Sequence, residues 1–184
     1  MPYPSREEAL ALLHEWTGNE SLRRHAYCVE AAMRHYAARR GAPVEEWGVT
    51  GLLHDFDYEK HPTLPDHPCK GAEVLRGRGY PEDLVTAILG HAGQAPRETD
   101  MARVLYAVDE LCGFLTACAY VQPSRKVADV KVASVKKKFK DKAFARAVNR
   151  EEIFKGAEEL GVVMDEHIQT VIDALAADAE RLGL

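Results

Sequence analysis

Apolar positions recur along this chain at intervals of three and four, the spacing that lines one face of a helix. Leu10, Leu13 and Trp16 form such a row after Ser5, a suitable N-cap, with Glu7 and Glu8 favouring the helix dipole in the first turn. Ser21 is the expected cap of a second helix that carries Tyr27, Ala31 and Tyr36 on its apolar face and stops at Gly41. Pro43, Glu45 and Glu46 open a third, which runs through Trp47, Val49, Leu52 and Leu53. Over residues 57–68 the pattern breaks, and Pro62, Pro65 and Pro68 predict a loop. Helical texture returns over 71–75, ends near 77–79 and restarts after Pro81. A Thr99 or Asp100 cap then starts a long helix through Val104, Val108, Leu111 and Leu115.

Ser134 is the expected cap of a lysine-rich helix with Val135, Phe139 and Ala143 as its apolar row. Asn149 or Arg150 begins another, ended by Gly161, and the last covers about 165–182 with Ile168, Val171, Ile172 and Leu175 buried. Alternating, strand-like runs are almost absent; only 127–132 is ambiguous. The pattern predicts an all-α protein, and without a linker, repeat or low-complexity tract it predicts a single domain over residues 1–184.

Composition adds limits. The 184 residues, 46% hydrophobic and 29% charged, suit a soluble globular protein and exclude collagen-like and disordered classes. A chain of this size needs no disulfide or metal staple to fold. No apolar run reaches the ~18 residues of a membrane span, and the N-terminus lacks a signal-peptide core. Cys28, Cys69, Cys112 and Cys118 form no CxxC pair, which fits free, space-filling thiols in a reducing cytoplasm. The formal charge of −5 argues against dedicated nucleic-acid binding. That average conceals a division: residues 124–150 hold ten basic and two acidic side chains, a net of +8, leaving −13 for the rest.

The candidate chemistry centres on His54-Asp55, where an apolar helix meets the proline-containing loop. A carboxylate beside an apolar run is costly to bury unless paired or bound to metal. Asp109 poses the same problem inside Leu105-Tyr106-Ala107-Val108-Asp109-Glu110-Leu111-Cys112. His25 precedes the doublet on one expected helix, and His67 and His91 follow it on others. His nitrogens with Asp oxygens suit Fe, Mn, Zn, Co or Ni.

This ordered set resembles the HD superfamily of metal-dependent phosphohydrolases. His25 matches that family's first histidine, His54-Asp55 its doublet, His67 and His91 the intermediate pair of its two-metal branch, and Asp109 its final aspartate. Asp66-His67-Pro68-Cys69-Lys70-Gly71-Ala72-Glu73 and Gly90-His91-Ala92 are similar to the family's segments around the intermediate histidines. The resemblance spans 25–109 and implies an HD-domain-like helical core with additional C-terminal helices packed on it. It implies one or two divalent transition-metal ions held by His25, His54, Asp55, His67, His91 and Asp109. Asp55 would be the catalytic residue that bridges the ions or orients the nucleophile. The implied activity is hydrolysis of a phosphate ester on a phosphorylated small molecule, a nucleotide among the candidates.

One departure stands out. The better-known branch continues its doublet as His-Asp-Ile-Gly-Lys, whereas this chain reads His54-Asp55-Phe56-Asp57-Tyr58-Glu59-Lys60. Lys60 is the candidate replacement for the missing lysine. Lys138, Lys142, Arg146 and Arg150 recur every four residues and would share a helical stripe. Lys136, Lys137 and Lys140 are the expected phosphate contacts, since lysine serves as a point charge for phosphate; the competing reading is a solvated lysine face. His61 competes with His67 in the loop, and His14, His35 and His167 read as surface histidines. Two other functions fit the same ligands: a di-iron oxygenase of this fold, and a non-catalytic metal-containing ligand-binding module.

Overall fold

The computed structural model describes residues 2–184, and among them every regular element is helical. In chain order these are α1 (Arg6–Trp16), α2 (Glu20–Arg40), α3 (Val44–Leu53), α4 (Asp66–Gly77), α5 (Glu82–His91) and α6 (Asp100–Tyr120). A 3-10 turn (Val127–Asp129), α7 (Val132–Phe139), α8 (Arg150–Leu160), α9 (Met164–Ala177) and α10 (Ala179–Leu182) follow. No described helix is long and apolar enough to cross a membrane.

The starts of the helices follow capping chemistry. Ser5 makes a capping box: its hydroxyl accepts from the Glu8 N–H at 3.2 Å while Glu8 accepts from the Ser5 N–H at 2.7 Å. Thr99 and Asn149 cap α6 and α8. The cap of α2 is Asn19 rather than Ser21, because the Asn19 side-chain Oδ1 accepts from the N–H groups of Ser21 and Leu22 at 2.8 and 3.2 Å. Ser21 lies inside the first turn.

The two longest helices, α2 and α6, form the centre, with α3 laid along α2 and with α5, α8 and α9 packed on α6. Close approach of α3 to α2 needs Gly51, where a Cβ would meet Met33 Cγ at 2.8 Å and the Val29 carbonyl oxygen at 3.0 Å. Leu53, Phe56, Leu105, Leu111 and Phe114 are fully buried around this seam. Each such side chain contributes about 1.5–3 kcal/mol by leaving water. A buried carboxylate ties the chain ends to α2: Glu30 accepts from Arg6 at 2.6 and 3.0 Å and from Arg181 at 2.8 Å.

The lysine-rich segment departs from its expected form. Ser134 is no cap, since α7 starts at Val132 after Lys131. The helix also ends at Phe139, short of Ala143. The Arg150 guanidinium turns back onto the carbonyls of Phe139 at 3.2 Å, Asp141 at 2.9 Å, Val148 at 3.4 Å and Phe144, and so organises residues 140–149 as successive turns. The expected stripe of Lys138, Lys142, Arg146 and Arg150 therefore does not form.

His167 also departs from expectation, being fully buried rather than on the surface. Its Nε2 donates to the Ala107 carbonyl at 2.9 Å, so Nδ1 accepts from the Tyr36 hydroxyl at 2.6 Å. Burial holds its pKa below the ordinary value, partly offset by the Ala107 hydrogen bond. The unfolded chain, with histidine near 6.5, thus takes up this proton first. The stability His167 contributes is complete above about pH 6.5 and falls as pH drops below it. The thermal unfolding midpoint should therefore decline more steeply between about pH 7 and 5.5 in the native chain than in a His167→Gln variant. Parallel slopes would contradict a neutral, buried His167.

Candidate metal centre

Five helices deliver polar side chains to one spot. His25 comes from the first half of α2, and His54 caps the C-terminus of α3 with Asp55 next to it. His67 precedes Pro68, where the regular part of α4 begins; His91 ends α5, and Asp109 lies midway along α6. All six residues expected as metal ligands converge here, in two groups: His25, His54 and Asp109, and Asp55, His67 and His91.

Asp55 lies between the groups. Its Oδ2 faces His54 Nε2 at 3.4 Å and His25 Nε2 at 4.0 Å, while Oδ1 faces His67 Nε2 at 3.2 Å and His91 Nε2 at 3.3 Å. Asp109 Oδ1 is 2.9 Å from His25 Nε2 and 3.4 Å from His54 Nε2. The outer nitrogens set the tautomers. His54 Nδ1 donates to the Gly51 carbonyl at 2.7 Å, His91 Nδ1 donates to the Ile88 carbonyl, and His67 Nδ1 faces Asp57 Oδ1 at 2.8 Å. Each therefore turns Nε2 toward the centre.

His54 Nε2 is fully buried and has no hydrogen-bond partner among the described residues. Such an orphan is costly unless something outside the protein satisfies it. A divalent cation would satisfy it while neutralising Asp55 and Asp109, so the donor set fits a metal on physical grounds.

The electrostatics point the same way. Burial opposes charge on Asp55, yet the imidazoles of His54, His67 and His91 hold its carboxyl well below the usual range. Asp109 behaves likewise against His54 and His25. Burial also opposes protonation of His54 and His67, but the facing carboxylates raise both, His67 to about 9. The centre demands positive charge, and protons compete with a metal for the same lone pairs.

The residues that replace Ile-Gly-Lys have identifiable work. Phe56 is in the core, edge-on to Trp16 with centroids 5.3 Å apart, and its carbonyl accepts from Thr17 Oγ1 at 3.0 Å. Glu59 accepts from the N–H groups of Gly18 and Asn19 at 2.7 and 2.9 Å. Tyr58 packs edge-on against His67. Lys60 stacks 3.7 Å over the Trp16 ring, so it does not replace the missing lysine at the centre.

Asp57 is the residue that sequence reasoning missed. It is fully buried, and besides His67 it accepts from the Gly71 N–H at 2.8 Å. A Cβ at Gly71 would stand 2.7 Å from the Asp57 carboxylate, so glycine is what admits it. Asp55, Asp57 and His67 together read as a carboxylate–histidine arrangement that orients a metal ligand. The departure from the glycine of the better-known branch was the available signal.

A cavity of about 470 Å³ opens over the centre, bounded by Tyr58, Leu64, Tyr106 and Val148 and by the charged side chains Arg97, Glu110, Glu152 and Lys155. Burial and the Asp109 carboxylate push Glu110 up to about 7. Arg97 is committed, bonding Glu159 through two nitrogens at 2.7 Å each, donating to the Gly90 carbonyl at 2.8 Å and stacking on Tyr106. Lys155 is held loosely, 3.8 Å from Glu159. Lys136, Lys137 and Lys140 do not line this cavity; α7 carries them to a separate one, where Lys136 pairs with Asp165 at 2.8 Å. His61 lies beside Trp16, outside the centre.

The family model described as HD domain matches residues 22–113, half of the chain. Ribonuclease Y of Nitratidesulfovibrio vulgaris, from strain DP4 and from strain Hildenborough, is 27% identical over 96 residues. That match covers 52% of this chain and only 18% of each relative's length. No solved structure matches the chain significantly.

The Asp57 geometry generates a test. Asp57→Ala should weaken metal retention by about 10–100-fold, the usual effect of losing a partner that orients a ligand. Equilibrium dialysis against Mn²⁺ measures it, with circular dichroism to verify folding. Gly71→Ala, which displaces Asp57, should act in the same direction. Unchanged retention in both folded variants would remove Asp57 from the centre's support.

Proposed function

The chain belongs to the HD domain family, and from that membership and the placement of Asp55 we propose that it is a metal-dependent phosphohydrolase acting on a small phosphate ester. The observation that carries the reading is a single carboxylate whose two oxygens face two separate His/Asp groups. His25, His54 and Asp109 would hold one divalent ion and His67 and His91 a second, with Asp55 shared between them. Ions so held supply Lewis acidity: they offset charge on phosphoryl oxygens and make water a stronger acid.

The chain's own residues do the positioning. Gly51, Ile88 and Asp57 fix the imidazole tautomers through the outer nitrogens. Lys155, the loosely held cation of the cavity wall, is the candidate phosphate contact in place of Lys136, Lys137 and Lys140. Arg97, already engaged by Glu159 and the Gly90 carbonyl, would hold the wall rather than bind substrate. Tyr106, Leu64 and Val148 supply apolar surface to the cavity wall. Its volume of about 470 Å³ suits a nucleotide-sized ester. The relatives' name, a ribonuclease, adds phosphodiesters to the phosphomonoesters worth testing.

Replacing His54 or Asp55 by alanine should lower bound metal and reduce phosphate-ester hydrolysis by about a thousandfold, a typical loss when a central electrostatic element is removed. Elemental analysis and a panel of phosphomono- and phosphodiesters with Mn²⁺, Co²⁺, Ni²⁺ or Fe²⁺ restored measure both. Unchanged metal content and turnover would overturn the assignment. For Lys155→Ala, KM for the best substrate should rise about tenfold, the worth of one charged contact, with metal content unchanged. A Lys136→Ala/Lys140→Ala double variant should leave KM where it was.

A further inference from the structure

The lysines that miss the metal centre border a cavity of their own. It holds about 570 Å³, with Phe139, Phe154 and Met164 as its apolar surface and Lys136, Lys137, Lys140 and Asp165 as its charged lining. It shares no lining residue with the cavity over the metal centre. Its volume lies in the range of small-molecule sites, about 300–1,000 Å³.

The other cations nearby are structurally employed. Lys138 stacks 4.4 Å over Phe144, Arg150 binds backbone carbonyls, and Lys136 is paired with Asp165. Lys137 and Lys140 have no carboxylate within 4.0 Å among the described residues, and both are exposed. Like charges three and four residues apart repel one another at the end of a helix, and one Asp165 carboxylate offsets only one of the three ammonium groups. An anion placed among them would relieve that repulsion. Beside them stands an aromatic surface open to solvent: Phe154 is 48% exposed, and its ring lies 5.2 Å from that of Phe139 in an edge-on pair.

Two complementary demands follow. The lysines call for a compact anion of more than one charge, for which phosphate is a suitable group. The phenyl rings and Met164 call for a flat apolar body. We propose that this cavity is a second ligand site, distinct from the metal centre, that takes a nucleoside phosphate, with its base against Phe139 and Phe154 and its phosphates among Lys136, Lys137 and Lys140. The site does not depend on the hydrolase reading. It also contacts α8 through Phe154, while Glu152 and Lys155 of that helix line the metal-centre cavity.

The test uses the full chain with its metal and the N-methylanthraniloyl derivative of ADP, whose fluorescence reports binding. Saturable binding should be displaced by unlabelled ADP. Adenosine or pyrophosphate alone should compete at least about tenfold more weakly, since each supplies half of the recognition. Lys137→Ala/Lys140→Ala and Phe154→Ala should each weaken binding about tenfold or more. Lys155→Ala, in the other cavity, should leave the component that depends on Lys137, Lys140 and Phe154 unchanged, whatever it does to binding at the metal centre. Two results would overturn the proposal. One is no saturable binding up to about 1 mM, weaker than ~4 kcal/mol of affinity. The other is binding that Lys155→Ala removes and the Lys137/Lys140 and Phe154 variants leave intact. Displacement by an acidic peptide but not by ADP would also overturn it, reassigning the surface to a protein partner.

Discussion

The structure depends on the solvation of one carboxylate. Asp55 is drawn among four imidazoles, with Asp109 at the edge of the same cluster and Asp57 behind His67. Negative charge so largely withdrawn from water, with the Asp55 side chain 18% exposed, is unfavourable unless positive charge meets it. Five helices place their histidines and aspartates so that it can be met from both sides. The architecture serves that requirement: α2 and α6 supply rigid, mid-helix positions for His25 and Asp109. Helix ends supply His54, His67 and His91, where backbone carbonyls or a turn carboxylate remain available to orient the rings. Gly51 and Gly71 matter for the same reason, since each lets an element approach closely enough to bring its ligand into the cluster.

The clustering of these six candidate ligands was legible in the sequence because the set combines unusual residue types with order. A carboxylate inside an apolar helix at Asp109 and a His-Asp doublet at a helix end are costly features, and costly features in a shared order call for a shared explanation. Asp57 was not legible as a support, because its role exists only when α4 folds back and presents Gly71 and His67 to it. His167 was misread for a related reason. Its neighbours in sequence, Asp165, Glu166 and Gln169, are polar, while its partners Tyr36 and Ala107 come from other helices. The order of helices was readable from period and caps. What failed were cases where two caps lay close together, as at Asn19 and Ser21, or where a side chain outside the helix ended it.

Arg150 is that last case, and it explains the largest error in the charge reading. A spacing of four residues from Lys138 to Arg150 makes a stripe only if the helix persists. Arg150 instead offers its donors to the carbonyls released between Phe139 and Val148, which stabilises turns in place of helix. One residue of the supposed stripe thereby dismantles it. The remaining lysines are carried to the far side of α8, and the excess of positive charge over 124–150 does not gather above the metal centre.

Besides Arg97, which is engaged by Glu159, the positive charge that lines the cavity over the centre comes from further along. Lys155, with Glu152, reaches the cavity from α8, and Ala147 and Val148 reach it from the turns before that helix. α8 is held there by close contact: a Cβ at Gly156 would come 2.6 Å from Ala107 Cα, two residues before Asp109. Residues 22–113 match the family model, and they contain the six candidate ligands; none of these α8 residues lies within that stretch. The six candidate ligands and much of the cavity wall, including Tyr58, Leu64, Arg97, Tyr106 and Glu110, therefore lie inside the matched stretch, and the rest of the wall lies outside it. A shared metal arrangement can persist while the wall opposite it changes, because the wall touches the centre through a cavity rather than through the ligands. Likeness within 22–113 thus bears on the clustered histidines and aspartates and on much of the wall above them, and the residues from Ala147 to Lys155 complete that wall from outside the matched stretch.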